Sequence, residues 1–367
     1  MKVLRFLSCL CVILGLPVFL TGCPNSAHEA KPEEEPKGMM YFSYFDTVSY
    51  IHSYAGDSQE EFEARCNEVA AILGEYHRLF DIYYEHSGVN NLRTINLNAG
   101  KDPVKVDQKL IDFLLYAKEL YHTTDGEMNI MMGSVLRLWH DCRTAASTNP
   151  AEAKIPEMSA LEEAALHTDF SCLEIDEANQ TVRITDPKAS IDVGALGKGY
   201  ATEKAAQRLA ELGATGYVLN IGGNIRIVGT KPDGSGWGTG IKNPASPDQY
   251  AYKITISNTS CVTSGDYERF FTVDGVKYHH VIDKDTLMPA AYFSSVTIIT
   301  PNSGLADALS TALFSMPYEE GLALVNKIGN VEVLWITPDG TQYRTQGIEN
   351  LKLELCALHF EFENKNH

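Results

Sequence analysis

Apolar positions recur along this chain with two periods, and the switches between them outline its elements. Residues 41–54 alternate aromatic, Thr and Val side chains and predict an opening strand. From 58 to 80, Phe62, Val69, Ile72, Leu73, Tyr76 and Leu79 share one face of a helical repeat. A second helix is expected over 107–122, with Asp107 as its N-cap. The stretch Gly126–Trp139, rich in Met and Leu, reads as a buried helix, and 170–193 as short strands. An amphipathic helix over 199–212 is closed by Gly213. Tyr217–Ile221 and Ile225–Val228 read as strands around a Gly222-Gly223 turn, and 250–300 as a meander of short strands. Helices follow over 303–315, stopped by Pro317, and over 318–329, before strand-like sequence to Phe362. Strands cluster here instead of alternating with helices, which predicts an α+β fold over a doubly wound sheet.

The first forty residues follow neither period. Lys2 and Arg5 precede an apolar run from Phe6 to Leu20, the length of a signal-peptide core and short for a membrane span. The run ends in Leu20-Thr21-Gly22-Cys23, which resembles the bacterial lipobox, so residues 1–22 are expected to be removed and Cys23 lipidated. Residues 23–39, with Lys, Glu and Pro but almost nothing apolar, read as a flexible tether, leaving 40–362 as the folded domain. The expected location is the outer face of the bacterial cytoplasmic membrane, held by the lipid.

A formal net charge of −18 argues against nucleic acid or anionic membrane surfaces as broad partners. It leaves room for a phosphate ligand at a local positive site. Beyond the signal and Cys23 remain Cys66, Cys142, Cys172, Cys261 and Cys356, widely spaced and without a C-x-x-C pair. They fit buried thiols better than a zinc site or a disulfide framework.

Three constellations carry candidate chemistry. In Ile191-Asp192-Val193-Gly194-Ala195-Leu196-Gly197-Lys198-Gly199-Tyr200, a strand runs into a glycine-rich turn and then a helix. Glycines let backbone N–H groups approach a ligand, and a helix N-terminus favours an anion. It is not a Walker A loop, because Gly199 follows Lys198, nor a Rossmann fingerprint, because Thr202 stands where a glycine is needed. Spacing alone leaves an ordinary tight turn equally open. Asp307 and Thr311, four apart on one helix, would present two hard oxygen ligands suited to magnesium, or a surface Asp beside a packed Thr. In Tyr278-His279-His280-Val281-Ile282-Asp283 the adjacent histidines point to opposite faces of a strand, so one of them can face a pocket as base or donor. Asp125-Gly126-Glu127-Met128-Asn129 reads as a polar turn, and Phe45 and Tyr83 as rings able to stack a planar ligand or fill a core.

The order of these motifs says more than any one of them. Phe45-Asp46-Thr47, Thr124-Asp125-Gly126, Leu138-Trp139, the Asp192–Tyr200 loop, Asn220-Ile221-Gly222-Gly223-Asn224, Ser264-Gly265-Asp266-Tyr267, His280-Val281-Ile282-Asp283 and Asp307-Ala308 with Thr311 follow one another. From about 40 to 345 this resembles the ApbE family, the FAD:protein FMN transferases, with its mixed, largely antiparallel sheets flanked by helices.

The resemblance implies that Asp192 and Lys198 contact FAD and that Ala195 offers its carbonyl to Mg2+, with Asp307 and Thr311 as the other protein ligands. It implies that Phe45 and Tyr83 lie near the flavin or adenine, that Glu127, Met128 and Asn129 line the nucleotide pocket, and that Val281 adds a contact. His280 takes the place of the family's histidine, and either it or Asp307 would take the proton of an attacking threonine hydroxyl on an acceptor flavoprotein. Acceptors are expected among exported segments of membrane redox complexes or FMN-carrying domains, with AMP as the leaving product.

The family pattern is broken in three places. Asn129 replaces a common Asp, Gly197 a frequent Ala, and Lys284, Thr286 and Leu287 follow Asp283 where Pro and a Thr-Gly turn are usual. That turn is expected to differ in shape. Two other functions remain open at this point: an FAD pyrophosphatase, with water in place of threonine, and a flavin-binding lipoprotein without turnover.

Overall fold

The computed structural model describes residues 36–351 and 353–356. The signal, the lipobox cysteine Cys23 and nearly all of the tether lie outside the described residues.

The chain opens with a hairpin, β1 (Lys37–Tyr44) and β2 (Thr47–Ser53), where the sequence reading expected one strand. Phe45 and Asp46 form its two-residue turn, both with positive φ, of 53° and 50°. Such turns match the right-handed twist of the flanking strands. Helix α1 (Gln59–Phe80) starts at a capping box in which Ser58 and Glu61 satisfy each other's backbone N–H groups. Its face of Phe62, Cys66, Val69, Leu73, Tyr76 and Leu79 is buried.

Next come α2 (Leu92–Leu97), β3 (Val104–Lys105) and α3 (Gln108–Thr123), the last capped by Asp107 as expected. The apolar stretch after Gly126 is helical only from Gly133: α4 (Gly133–Thr148) starts late and runs past Trp139. A Cβ on Gly133 would stand 2.4 Å from the Ser190 carbonyl oxygen. The Gly133 N–H donates to that same oxygen at 3.1 Å, and this close crossing fixes where the helix starts. Helix α5 (Met158–Ala165) and strands β4 (Leu173–Asp176) and β5 (Thr181–Ile184) lead to α6 (Gly197–Glu211).

The second half supplies most of the sheet. Strands β6 (Tyr217–Ile221) and β7 (Asn224–Val228) flank the Gly222-Gly223 turn, both glycines having positive φ. Then follow β8 (Trp237–Asn243), β9 (Ser246–Ile256), β10 (Ser260–Gly265), β11 (Phe270–Val273), β12 (Val276–His279) and β13 (Ser295–Thr300). Helices α7 (Ser303–Ala312) and α8 (Tyr318–Ile328) precede β14 (Glu332–Ile336), β15 (Gln342–Arg344), α9 (Gln346–Asn350) and β16 (Glu354–Leu355).

Eight strands form one sheet in the order β1-β2-β6-β7-β10-β13-β14-β15, and every neighbouring pair in it is antiparallel. In its interior strand β13 all six side chains are buried, Val296, Ile298 and Ile299 together with Ser295, Thr297 and Thr300. Helix α6 packs against α1 on one side and α7 on the other, and α7 lies on β10 and β13. The fold is α+β, as expected. No helix among the described residues is long and apolar enough to cross a membrane.

Of the five cysteines described, all are free; Cys66 and Cys261 are buried, and Cys142, Cys172 and Cys356 are only partly so. Burial pushes the thiols of Cys66 and Cys261 up to about 12, which leaves them inert as nucleophiles.

Candidate active site

The site is built at the seam of α6 and α7. Residues Ile191–Val193 reach α6 as extended chain and not as a strand. Asn96 clamps them: its Oδ1 accepts the Ile191 N–H at 2.7 Å and its amide donates to the Ile191 carbonyl at 2.9 Å. The Asp192 N–H goes to the Ile130 carbonyl at 2.8 Å. Asp192 Oδ1 in turn accepts the N–H of Gly194 at 2.8 Å, which curls the glycine turn.

Gly199 is where the two helices touch. A Cβ there would stand 2.3 Å from the Cβ of Asp307 and 2.4 Å from the Ser303 carbonyl oxygen, so only glycine permits this approach. The Gly199 N–H donates to Asp307 Oδ2 at 2.7 Å, and Lys198 Nζ lies 3.8 Å from the same oxygen. Gly199 is the third residue of α6, one of the first-turn donors that have no partner within a helix, and the Asp307 carboxylate satisfies it.

Asp307 is 5% exposed, and withdrawal from water raises its carboxyl above the ordinary range, against the pull of Lys198, the Gly199 N–H and the Asn224 amide. Thr311 follows one turn later and is partly exposed. Ser310 Oγ bonds the Asp307 carbonyl at 2.8 Å and pairs with Ser264 Oγ at 2.8 Å, which ties this turn of α7 to β10.

Carboxylate, hydroxyl and backbone carbonyl are hard oxygen donors, few enough that an ion held by them keeps positions for water and phosphate oxygens. That donor set fits Mg2+. No group of three or more His, Cys, Asp or Glu side chains able to hold a metal is gathered among the described residues.

The two histidines play different parts, His279 as the last residue of β12 and His280 in the bend that follows. His279 is buried and spent on structure: Nε2 meets the Ala290 carbonyl at 2.9 Å and Nδ1 accepts the Val281 N–H at 3.3 Å. His280 turns the other way, and its Nδ1 is buried without a hydrogen-bond partner. Burial pushes its imidazole down to about 3, helped by Arg269, His279, Lys198 and Arg143. It is therefore neutral at physiological pH.

A row of rings and cations continues the cleft. Tyr83, 47% exposed, sits over His140 with ring centroids 5.1 Å apart, and its hydroxyl is 3.4 Å from His140 Nδ1. Arg143 reaches the same nitrogen at 3.1 Å. Burial and the Asp192 carboxylate push the Tyr83 phenol up to about 12, which places that carboxylate nearby. Phe45 stands at the hairpin turn, its N–H on His77 Nδ1 at 3.2 Å and its ring edge-on to His77 at 5.7 Å.

The remaining expected residues are placed differently. Glu127 pairs with Lys284 at 3.1 Å, joining its loop to the turn after Asp283, and burial raises its carboxyl despite the lysine. Met128 is buried in the core, and the Asn129 amide is used by the Thr168 carbonyl and the Met131 N–H, both at 2.9 Å. The side chain of Val281 is buried beside Ala290 and Phe293. The turn after Asp283 keeps a tight form: Asp283 Oδ1 accepts the N–H groups of Asp285 at 2.8 Å and Thr286 at 3.0 Å. Leu287 takes φ of 59°, the conformation that a glycine adopts freely.

Sequence reasoning passed over four residues. Glu203, buried on α6, pairs with Arg226 at 3.1 Å and accepts the Ser303 N–H at 2.9 Å, locking α7 to α6. His140, Arg143 and Arg269 belong to no motif. Their one signal is spacing, since Arg143 stands one helical turn after Trp139. A separate cleft of about 330 Å3, lined by Asp112, Tyr116, Tyr200, Glu203, Lys204, Gln207 and Asn302, opens on a different face of α6 and contains none of the expected site residues.

Fold and cleft together define an α+β protein whose polar machinery is set at the meeting of two helices on an antiparallel sheet. The profile of the ApbE family matches residues 45–335, and the chain belongs to that family. It is 30% identical over 357 residues to the FAD:protein FMN transferase of Treponema pallidum, covering 93% of this chain and 95% of that one. The FAD:protein FMN transferase of Haemophilus influenzae is 26% identical, over 86% and 89% of the two chains. The crystal structure of the ApbE protein from Thermotoga maritima superposes with a TM-score of 0.76 at 29% identity, over 87% of this chain and all of that one. The flavin transferase ApbE of Vibrio cholerae does so with a TM-score of 0.71 at 25% identity, over 86% and 99%.

Proposed function

We propose that this chain is an enzyme, a Mg2+-dependent FAD:protein FMN transferase. It cleaves the diphosphate of FAD, joins the FMN phosphate to a threonine hydroxyl of an acceptor protein, and releases AMP. The observation that carries this reading is the carboxylate of Asp307, buried at the helix seam with the Gly199 N–H and Lys198 Nζ on one oxygen.

Asp307, Thr311 and the Ala195 carbonyl would hold Mg2+, which when bound offsets charge on the diphosphate oxygens. Lys198 stands where it can bind the same oxygens as a point charge. His280, neutral and with Nδ1 unpartnered, is placed to accept the proton of the attacking hydroxyl. Its basicity is low in the free protein chiefly because it is buried, and Arg269, Lys198 and Arg143 lower it further. A bound diphosphate neutralises those cations and raises it toward the working range. Phe45 and Tyr83 supply rings at the cleft mouth for the flavin or adenine.

We also infer export and lipid attachment at Cys23, supported by Lys2, Arg5 and the apolar run ending at Leu20-Thr21-Gly22-Cys23. The acceptors then stand on the same side of the membrane, as exported redox-complex segments or FMN-carrying domains.

The test is incubation with FAD and Mg2+, with and without a threonine-bearing acceptor, reading AMP. Release that needs the acceptor is the expected result. Equal release without it means hydrolysis to FMN and AMP, and stable binding of intact FAD means a carrier.

A further inference from the structure

Arg143 and Arg269 come together although they are far apart in sequence. Trp139, Phe271 and Tyr278 form an aromatic cluster, with ring centroids 6.3 Å apart for Trp139–Phe271 and 6.0 Å for Trp139–Tyr278. The Trp139 indole N–H donates to the Leu287 carbonyl at 3.0 Å. These contacts pin the β11–β12 hairpin to α4. Arg143 lies four residues after Trp139 on α4 and so shares its face; Arg269 lies in the bend that enters β11, two residues before Phe271. Contact between the two rings therefore brings the segments that carry the two arginines together, close enough for the Arg269 charge to bear on Arg143.

Two like charges held together repel, and a chain with 48 Asp and Glu has ample means to neutralise them. It does not. Neither arginine has a carboxylate within 4.0 Å among the described residues, and Arg143's hydrogen bond is to a ring nitrogen of His140. The Arg269 charge also bears on Asp192, Asp307, His280 and Tyr83, which puts it on the cleft side of the bend. His280 Nδ1, buried and unpartnered, looks into the same space.

We propose that Arg143 and Arg269 form a two-guanidinium clamp that grips the diphosphate of the dinucleotide from the α4 and β11 wall, across from Lys198 and Asp307. This inference rests on the proposed function for the identity of the ligand. Its logic is that a guanidinium fork matches phosphate oxygens two at a time, and that the repulsion between the forks is relieved only when an anion arrives. The clamp also accounts for an acidic protein binding an anionic substrate.

The test compares the full chain with Arg143→Gln, Arg269→Gln and the two Lys variants, measuring affinity for FAD, inorganic pyrophosphate and riboflavin. Each Gln variant is expected to lose about tenfold or more for FAD and pyrophosphate, with riboflavin unchanged and Lys restoring only part. Thermal midpoints near the parent's confirm folding, since Arg269 is exposed. Gln variants that hold FAD and pyrophosphate within about twofold of the parent overturn the clamp. A parent that binds pyrophosphate through these arginines but not FAD contradicts the proposed function, and with it the dinucleotide as ligand, while showing the anion site itself.

Discussion

The backbone N–H of Gly199 donates to the Asp307 carboxylate at 2.7 Å, so the first turn of α6 and the middle of α7 are one unit. The same bond orients the carboxylate and satisfies a first-turn donor of α6 that has no partner within the helix. Site and fold are joined at a single contact.

Replacing Gly199 by Ala puts a methyl where 2.3 Å and 2.4 Å separate it from Asp307 Cβ and the Ser303 oxygen. Backbone cannot yield as a flexible side chain would, so α7 must move. We expect a loss of about 1–3 kcal/mol in urea unfolding. Turnover should fall much further than stability does, because the displaced element carries Asp307 and Thr311.

Asp307→Asn keeps the shape and an acceptor for the Gly199 N–H but removes the charge. AMP release in Mg2+ should drop at least about a hundredfold while the protein stays folded. Titrating Mg2+ to high concentration and recovering full activity in this variant would sink the metal assignment.

His280 gives a pH signature. Its folded pKa of about 3 lies below the ordinary value of about 6.5 expected in the unfolded chain. Between those values the unfolded chain binds the extra proton, so this residue costs stability progressively as pH falls below about 6.5. His280→Gln removes that cost. Relative to the parent, the variant should gain about 1–2 kcal/mol between pH 6.5 and 4.5 in denaturant midpoints, and should lose transfer activity at neutral pH. Parallel stability curves for the two proteins would mean that the imidazole is not held neutral.

Leu287 sets two effects against each other. Its φ of 59° costs roughly 1–2 kcal/mol that glycine would avoid. Its side chain is 8% exposed and packs with the Trp139 cluster, and removing a buried leucine costs about 2–5 kcal/mol. Burial wins, so Leu287→Gly should destabilise by about 1–3 kcal/mol. A more stable variant would show that the turn is strained beyond what packing returns.

Long periodic elements were legible from the sequence. Helix α1, with its Ser58 box, and the β6–β7 hairpin at Gly222-Gly223 follow from local rules that nothing distant overrides. Boundaries set by tertiary contact were not. The start of α4 depends on Ser190 approaching Gly133, and the opening strand breaks at Phe45-Asp46, where aromatic alternation hides a turn without glycine. The same division holds in the cleft. Asp192, Lys198 and Asp307 lie in quotable motifs. Arg143 and Arg269 meet only through the Trp139 and Phe271 rings, and Glu203 reaches Ser303 across 100 residues. No local pattern encodes such meetings.

The central claim is transfer of FMN to protein, and the mass of the acceptor tests it most directly. After incubation with FAD and Mg2+, an acceptor bearing a target threonine should gain the mass of FMN less one water, with one AMP released per acceptor modified. The same acceptor with that threonine changed to alanine should gain nothing. AMP accumulating while the acceptor mass stays unchanged would contradict the account, because the diphosphate would then be cut by water alone.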